Sequence, residues 1–206
     1  MSSPRLVGRH RVGRAAFTLL ELLWVVAVLA LLLVLALPPL TTWSGSLGVR
    51  MAAGEVAGAM RTARMRAIRS QRRVAVKFRT EGEHVTLTLY RDGDGDGVRN
   101  DDIDAGIDPI EVPPRRLGHL GRVARFGFPP GPAPYAPGSS KRLDRLDDPI
   151  RFNRSDLASF SPRGTATPGS VYLTDGRRHL SVVRVTSRSG KVAVLDYDPM
   201  REVWRR

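Results

Sequence analysis

Ala15-Ala16-Phe17-Thr18-Leu19-Leu20-Glu21-Leu22-Leu23 opens an aliphatic run that does not stop until Pro38. Over 17–37 the one charged side chain is Glu21, and the run follows a leader carrying Arg5, Arg9, Arg11 and Arg14 without an acid. A helix over 17–37, rising about 1.5 Å per residue, is about 31 Å long, close to the hydrocarbon thickness of a bilayer. One membrane span is therefore expected. The basic leader holds the amino terminus in the cytosol, the next positive charge is Arg50, and everything from about Thr41 onward is expected on the far side. A secretory signal peptide fits poorly, because its apolar core runs to only about 7–15 residues and carries no acid.

Beyond the span, about 165 residues suffice for one globular domain. The absence of cysteine excludes disulfides, zinc–thiolate sites and thiol nucleophiles. A formal charge of +13 suggests an anionic partner. That inference is weakened by the basic residues themselves, which are all arginine except Lys77, Lys141 and Lys191, a bias that genome base composition alone produces.

Past the prolines, Met51, Ala52, Val56, Ala59, Met60, Ala63, Ala67 and Ile68 recur at spacings of three and four, which predicts an amphipathic helix over about 44–70. Arg61, Arg64, Arg66 and Arg69 occupy its other side, followed by Arg72 and Arg73, and read as a solvated face. After Ser70 the pattern changes to alternation. Val74–Phe78 and His84–Tyr90 read as two strands joined near Glu81-Gly82-Glu83, with further strands expected at 122–128, 158–161, 170–174, 180–186 and 191–197. The segment 129–140 is punctuated by Pro and Gly and is expected to be a long exposed loop. One helix followed by short strands over about 73–198 predicts an α+β domain, the helix packed on one or two antiparallel sheets.

Asp92-Gly93-Asp94-Gly95-Asp96-Gly97-Val98 continues to Asp104 and is the second informative stretch. Alternating carboxylates converge on one hard cation, Gly97 permits a sharp turn, and the Val98 carbonyl falls where a backbone ligand belongs. The spacing resembles a calcium loop of the EF-hand or dockerin kind. Ile103 stands where the chelating acid of the twelfth loop position belongs, so Asp102 or Asp104 would complete the set of Asp92, Asp94, Asp96 and Val98. Such a metal is expected to be structural, since close carboxylates repel one another without a cation. No catalytic site is expected: His10, His84, His119 and His179 lack metal-ligand spacing, and no Gly-x-Ser-x-Gly elbow or phosphate-cradling loop is present.

The run Phe17-Thr18-Leu19-Leu20-Glu21-Leu22 resembles the prepilin-type processing signal of type IV pilins and of the pseudopilins of type II secretion. The resemblance implies that a prepilin peptidase removes residues 1–16 by cutting between Ala16 and Phe17, that the new amino group of Phe17 is methylated, and that Glu21 is the conserved fifth residue of the mature chain. The family usually has Gly before the cut, where this chain has Ala16; a cut after Gly13 would misplace Glu21. A buried ionised carboxylate is costly unless paired, and the positively charged amino terminus of a neighbouring, axially shifted helix is its expected partner.

Phe160-Ser161-Pro162-Arg163-Gly164 and Gly169-Ser170-Val171-Tyr172-Leu173, placed after a basic Ala-rich helix and strands, are similar to the GspH/FimT group of minor pilins and pseudopilins. This implies a pilin-like architecture: a membrane and assembly helix over 17–40, continued by an amphipathic half, and a periplasmic α+β domain over 41–206. It further implies a minor pseudopilin of type II secretion, single-pass in the bacterial inner membrane before assembly and in a periplasmic filament afterwards. Its partners would be other pilin or pseudopilin subunits, the peptidase and secreted cargo. A FimT-like minor type IV pilin that takes up DNA is the alternative, with Arg177, Arg178, Arg184 and Arg188 as candidate phosphate contacts.

Overall fold

The computed structural model describes residues 18–81, 84–116, 124–153, 155–186 and 189–206, with the backbone alone at 34–44, 80–81 and 84–85. The expected leader over 1–16 and the cleavage pair Ala16 and Phe17 lie outside the described residues. The chain separates into two compact units, Met1–Thr41 and Thr42–Arg206.

In the first unit, helix α1 (Leu19–Ser70 as a whole element) begins directly after Thr18. Thr18 Oγ1 accepts the Glu21 N–H at 3.3 Å, and the Thr18 carbonyl accepts the Leu22 N–H at 3.2 Å. Thr18 is thus the N-cap, and Glu21 sits three residues on, at capping-box spacing and at the positive end of the helix dipole. The side chains of 19–33 are exposed on every side of the helix, the aliphatic ones included. Among the described residues no helix is long and apolar enough to cross a membrane; the expected span over 17–37 extends beyond the described side chains at both ends.

The second unit is α+β. The part of α1 within it buries Val49, Ala52, Ala53, Val56, Ala57, Met60, Ala63 and Ala67, each at most 2% exposed. The buried face is turned slightly from the predicted one. Met51 and Ile68 are 51% and 43% exposed and Ala59 is half-buried, because at 100° per residue Met51 and Ile68 fall on the far side of the helix from the stripe centred on Val56, Met60 and Ala63, and Ala59 falls at its edge. Alanine at five of the buried positions lets the helix backbone lie close to the strands beneath.

Those strands form two antiparallel sheets. The first has the order β3-β2-β1-β6, with β1 Val74–Glu81, β2 His84–Arg91, β3 Ile110–Arg116 and β6 Leu157–Phe160. The second has the order β10-β9-β8-β7-β4, with β5 also paired to β7; these are β4 Arg125–Phe126, β5 Ile150–Arg151, β7 Gly169–Thr174, β8 Leu180–Val185, β9 Val192–Asp198 and β10 Val203–Arg205. One hydrophobic cluster joins α1 to both sheets through Val74, Val76 and Phe78 of β1, Phe160 of β6, Val171 of β7 and Val183 of β8. The polar link Arg50 Nε to Asp196 Oδ2 (2.5 Å), with Ser181 Oγ donating to Asp196 Oδ1 (2.5 Å), ties the helix to β8 and β9.

Period-two alternation gives each sheet a second apolar face, and each is covered by a non-strand segment. Ala75, Tyr90 and Leu157 meet Val98 and Ile103 of the acidic loop. Tyr172, Leu180 and Val182 meet Leu143, with Phe128, Ala136, Tyr197 and Trp204 around them.

Several expectations need correction. The strand expected over 122–128 is only Arg125–Phe126, and Arg122 lies outside the described residues. The segment 129–140 is not a uniformly exposed loop: Pro134 and Pro137 are buried, and an isolated bridge pairs Tyr135 with Arg142. Pro130 and Pro132 are exposed, whereas Ala136 packs against the apolar cluster of the second sheet.

Candidate functional site

The β1–β2 hairpin delivers Asp92 to the mouth of the acidic loop, where its N–H donates to the Arg73 carbonyl at 2.9 Å. Asp92, Asp94 and Asp96 each present a carboxylate oxygen, and these oxygens lie within 4.8 Å of one another. Asp92 is buried; Asp94 and Asp96 are exposed. The loop holds this form by its own bonds, Asp92 accepting the Gly95 N–H at 2.7 Å and Asp94 the Asp96 N–H at 3.3 Å. Two glycines are required by the geometry. Gly97 has φ +113°, and a Cβ at Gly93 would lie 1.9 Å from the Ile107 carbonyl oxygen.

Helix α2 (Asn100–Asp104) follows within the loop. Asn100 anchors it, accepting from Lys77 Nζ at 2.7 Å and donating to the Ser155 carbonyl at 3.1 Å. Ile103 is buried among Ala75, Tyr90, Val98 and Leu157. The residue at the chelating-acid position of a calcium loop is therefore a core residue that fastens the loop to the sheet, which is the physical reason no acid stands there. Val98, expected to offer its carbonyl, has its side chain in the same cluster.

Asp102 and Asp104 stand outside the group formed by Asp92, Asp94 and Asp96. Asp104 is exposed and 3.9 Å from Arg79. Asp102 is different, because its Oδ2 is fully buried and has no hydrogen-bond partner among the described residues. Asp108, which sequence reasoning missed, is 2% exposed and bonds through both oxygens, to Gly93 N–H at 2.9 Å and Arg99 N–H at 3.0 Å. It closes the loop onto its own start. The signal that could have found it is the turn Gly106-Ile107-Asp108-Pro109, which returns the chain to β2 at the Arg91 N–H to Pro109 carbonyl bond of 3.0 Å.

The loop carboxyls are not equivalent. The Asp96 N–H holds Asp94 below the ordinary carboxylate range. Lost hydration pushes Asp96 up despite its ion pair with Arg99. Asp102 is pushed up too, first by lost hydration and then by the charges of Asp94 and Asp108. The three convergent carboxylates form a hard-oxygen donor set, the chemistry that suits calcium rather than a thiophilic metal.

The remaining predicted residues are dispersed. Glu21 is exposed in the first turn of α1. Arg177 and Arg178 lie in the β7–β8 turn, where their N–H groups donate to Asp175 Oδ1, both at 2.9 Å. Arg184, in β8, donates to the Pro137 carbonyl. Arg188 lies outside the described residues. The turn carries a compact polar unit that the sequence did not announce. Asp175 Oδ2 meets His179 Nδ1 at 2.7 Å, and a Cβ at Gly45 of α1 would lie 2.9 Å from the same oxygen. Burial opposes ionisation of Asp175, but the His179 bond and three backbone N–H groups outweigh it and bring its carboxyl down to about 2.

A family model described as "Type II transport protein GspH" matches residues 52–190, more than half of the chain. The match runs from the buried face of α1 through the first sheet, the acidic loop and strands β4, β5, β7 and β8 of the second sheet, and stops before β9. No curated protein and no solved structure gives a significant match.

Proposed function

Because the chain belongs to the GspH family of type II transport proteins, we propose that it is a minor pseudopilin that assembles into the periplasmic pseudopilus of a type II secretion apparatus. The observation that carries this reading is the family match over the helix-and-two-sheet body. In this reading residues 1–16 are the cytosolic leader, prepilin peptidase cuts between Ala16 and Phe17, and Phe17 is methylated. The apolar segment over 17–40 anchors the chain in the inner membrane and then joins the filament's helical bundle. Glu21 pairs with the amino terminus of a neighbouring subunit and so sets axial register, while the domain over 41–206 faces other subunits and cargo. The exposed apolar side chains of 19–33 are what such a helix needs in order to pack into lipid or among other helices.

Replacing Glu21 with Ala should leave membrane insertion intact and abolish incorporation into the filament, read by shearing and fractionation of cells; normal incorporation would refute the role. Mass spectrometry of the mature amino terminus should find N-methyl-Phe17. The family's description supports the secretion reading; the arginines named for the FimT-like DNA-uptake alternative are split between the β7–β8 turn and the Pro137 contact.

A second part of the proposal concerns the acidic loop, which we take to hold a structural calcium ion through Asp92, Asp94 and Asp96. The fit rests on the convergence of those carboxylates and on Asp102 Oδ2, a buried oxygen with no partner among the described residues. A cation there relieves the repulsion among like charges that the fold holds close. At a free calcium concentration a hundred times its dissociation constant, folding gains about 2.7 kcal/mol. Thermal unfolding in calcium against chelator measures this directly, and identical midpoints would sink the metal reading.

A further inference from the structure

Outside the acidic loop, α1 presents an exposed apolar face to solvent within the second unit. Leu47, Met51 and Met65 are 59%, 51% and 71% exposed, and they share one helical face with Gly54, Gly58 and Thr62 at successive spacings of three and four. A Cβ built at Gly54 or Gly58 would meet nothing within 4 Å, so the helix backbone itself is open there. Beside this face, between α1 and β2–β3, is a cavity of about 290 Å³ lined by Gly58, Ala59, Thr62, Leu87, Leu89 and Val112. Its floor is aliphatic. Its rim carries Glu55 on α1 and the pair Arg115 and Arg116 on β3, so positive charge is in excess there.

We propose that this groove receives an α-helix of a neighbouring pilin-type subunit, one with a small aliphatic face flanked by carboxylates. The inference rests on the pseudopilin reading and adds to it a surface and the chemistry of its occupant. Three observations select that occupant. A strand is disfavoured, because β3 is the outer strand of its sheet and one of the adjacent Pro113 and Pro114 removes an N–H donor from the free edge that an added strand would need. A helix satisfies its own backbone, and glycines with open space above them let its axis approach closely. A second copy of this chain is disfavoured by charge, since it would bring Arg115 and Arg116 against a surface of the same sign on a protein of net charge +13. The partner is therefore a different polypeptide whose carboxylates face those arginines.

The absence of cysteine allows a clean test with the full-length protein in detergent. Thr62→Cys in the groove, or Ser139→Cys on the Pro-rich segment as a control, is co-expressed with each other pilin-type subunit of the same apparatus. Each of those subunits carries single cysteines along its own helix, and a short bismaleimide is added. Cross-linking from Thr62→Cys and not from the control is expected. Gly58→Trp should lower that yield roughly tenfold by filling the groove, and Arg115→Glu with Arg116→Glu should lower it comparably. Trp is a better helix former than Gly, so an unfolding midpoint at or above the parent's excludes a weakened α1 as the cause. Unaltered cross-linking in both variants overturns the groove while leaving the subunit reading intact. Thr62→Cys joining to itself when the chain is expressed alone overturns it in favour of a second copy. Failure of the unmodified chain to associate with any pilin-type subunit overturns both.

Discussion

The two sheets have the same problem and solve it with different chemistry. Each has an outer apolar face, and each face is covered by a segment poor in regular structure. Over the first sheet the cover is the acidic loop, pinned by Ile103 and Val98 but built around carboxylates, one of which has an oxygen without a partner among the described residues. Over the second sheet the cover is the Pro-rich segment, and its polar groups are paired. Trp204 Nε1 donates to the Tyr135 carbonyl at 2.7 Å, Arg142 lies 4.5 Å above the Tyr135 ring and also pairs with Glu202, and the Leu143 N–H donates to the Pro134 carbonyl at 2.9 Å. A cover made from rings and satisfied hydrogen bonds is complete in itself. On the calcium reading proposed above, a cover made from converging carboxylates is completed by a cation. The difference teaches where the molecule should respond to its medium: calcium should act through the first sheet and leave the second alone.

Trp204→Ala is the largest blow to the self-sufficient cover. The ring packs at 5.0 Å from Tyr197 and 6.1 Å from Tyr172, and its N–H is the bond that holds Tyr135. Loss of a partly buried tryptophan with its hydrogen bond should cost about 3 kcal/mol. The loss should be the same in calcium and in chelator, measured by thermal unfolding. A calcium-dependent cost would mean that the two covers are coupled and the comparison is false.

Next in size is a carboxylate that needs no metal. Asp175 lies at the β7–β8 end of the second sheet and is satisfied by three N–H groups and His179. Its folded value of about 2 lies below the ordinary 3.8. Its stabilisation is therefore complete above about pH 4 and lost as pH falls from there through about 2. The side chain is only 8% exposed, yet the turn is at the surface, so the contribution is about 1–2 kcal/mol. Asp175→Asn should flatten stability across that window and leave the calcium response untouched. A change in the response would tie this turn to the metal.

Legibility from sequence followed physical locality. The amphipathic helix, the β1–β2 hairpin and the strands β6 to β9 were readable because period and turn residues act over a few neighbours. Strand β3 was not, because Pro113-Pro114 argues against a strand unless the strand is known to lie at an edge, and edge position is a tertiary fact. The short strands β5 and β10 carry too few residues for a period to be visible. In the acidic loop, Asp92, Asp94 and Asp96 were readable from spacing, whereas Ile103 looked like a defect in a calcium motif. It is the anchor of α2 in the core, and only the packing beneath it gives it that meaning. Asp108 escaped for the same reason, since its partners Gly93 and Arg99 lie on the far side of the loop it closes.

The smallest expected effect is the most discriminating, because it should change sign. Asp102 presents one buried, unpartnered oxygen beside the charges of Asp94 and Asp108. In chelator the repulsion from Asp94, Asp108 and Asp101 outweighs the attraction of Arg99, so Asp102→Asn should raise the unfolding midpoint slightly. In calcium the same substitution removes a negative charge from the cation's surroundings, so it should lower the midpoint relative to the parent. The two curves should therefore cross as free calcium is raised, with Asp92→Asn as the reference that abolishes the response altogether. If Asp102→Asn shifts the midpoint in one direction at every calcium concentration, the unpartnered oxygen is a local packing fault rather than part of a cation's environment. The first sheet's cover would then be as self-sufficient as the second's.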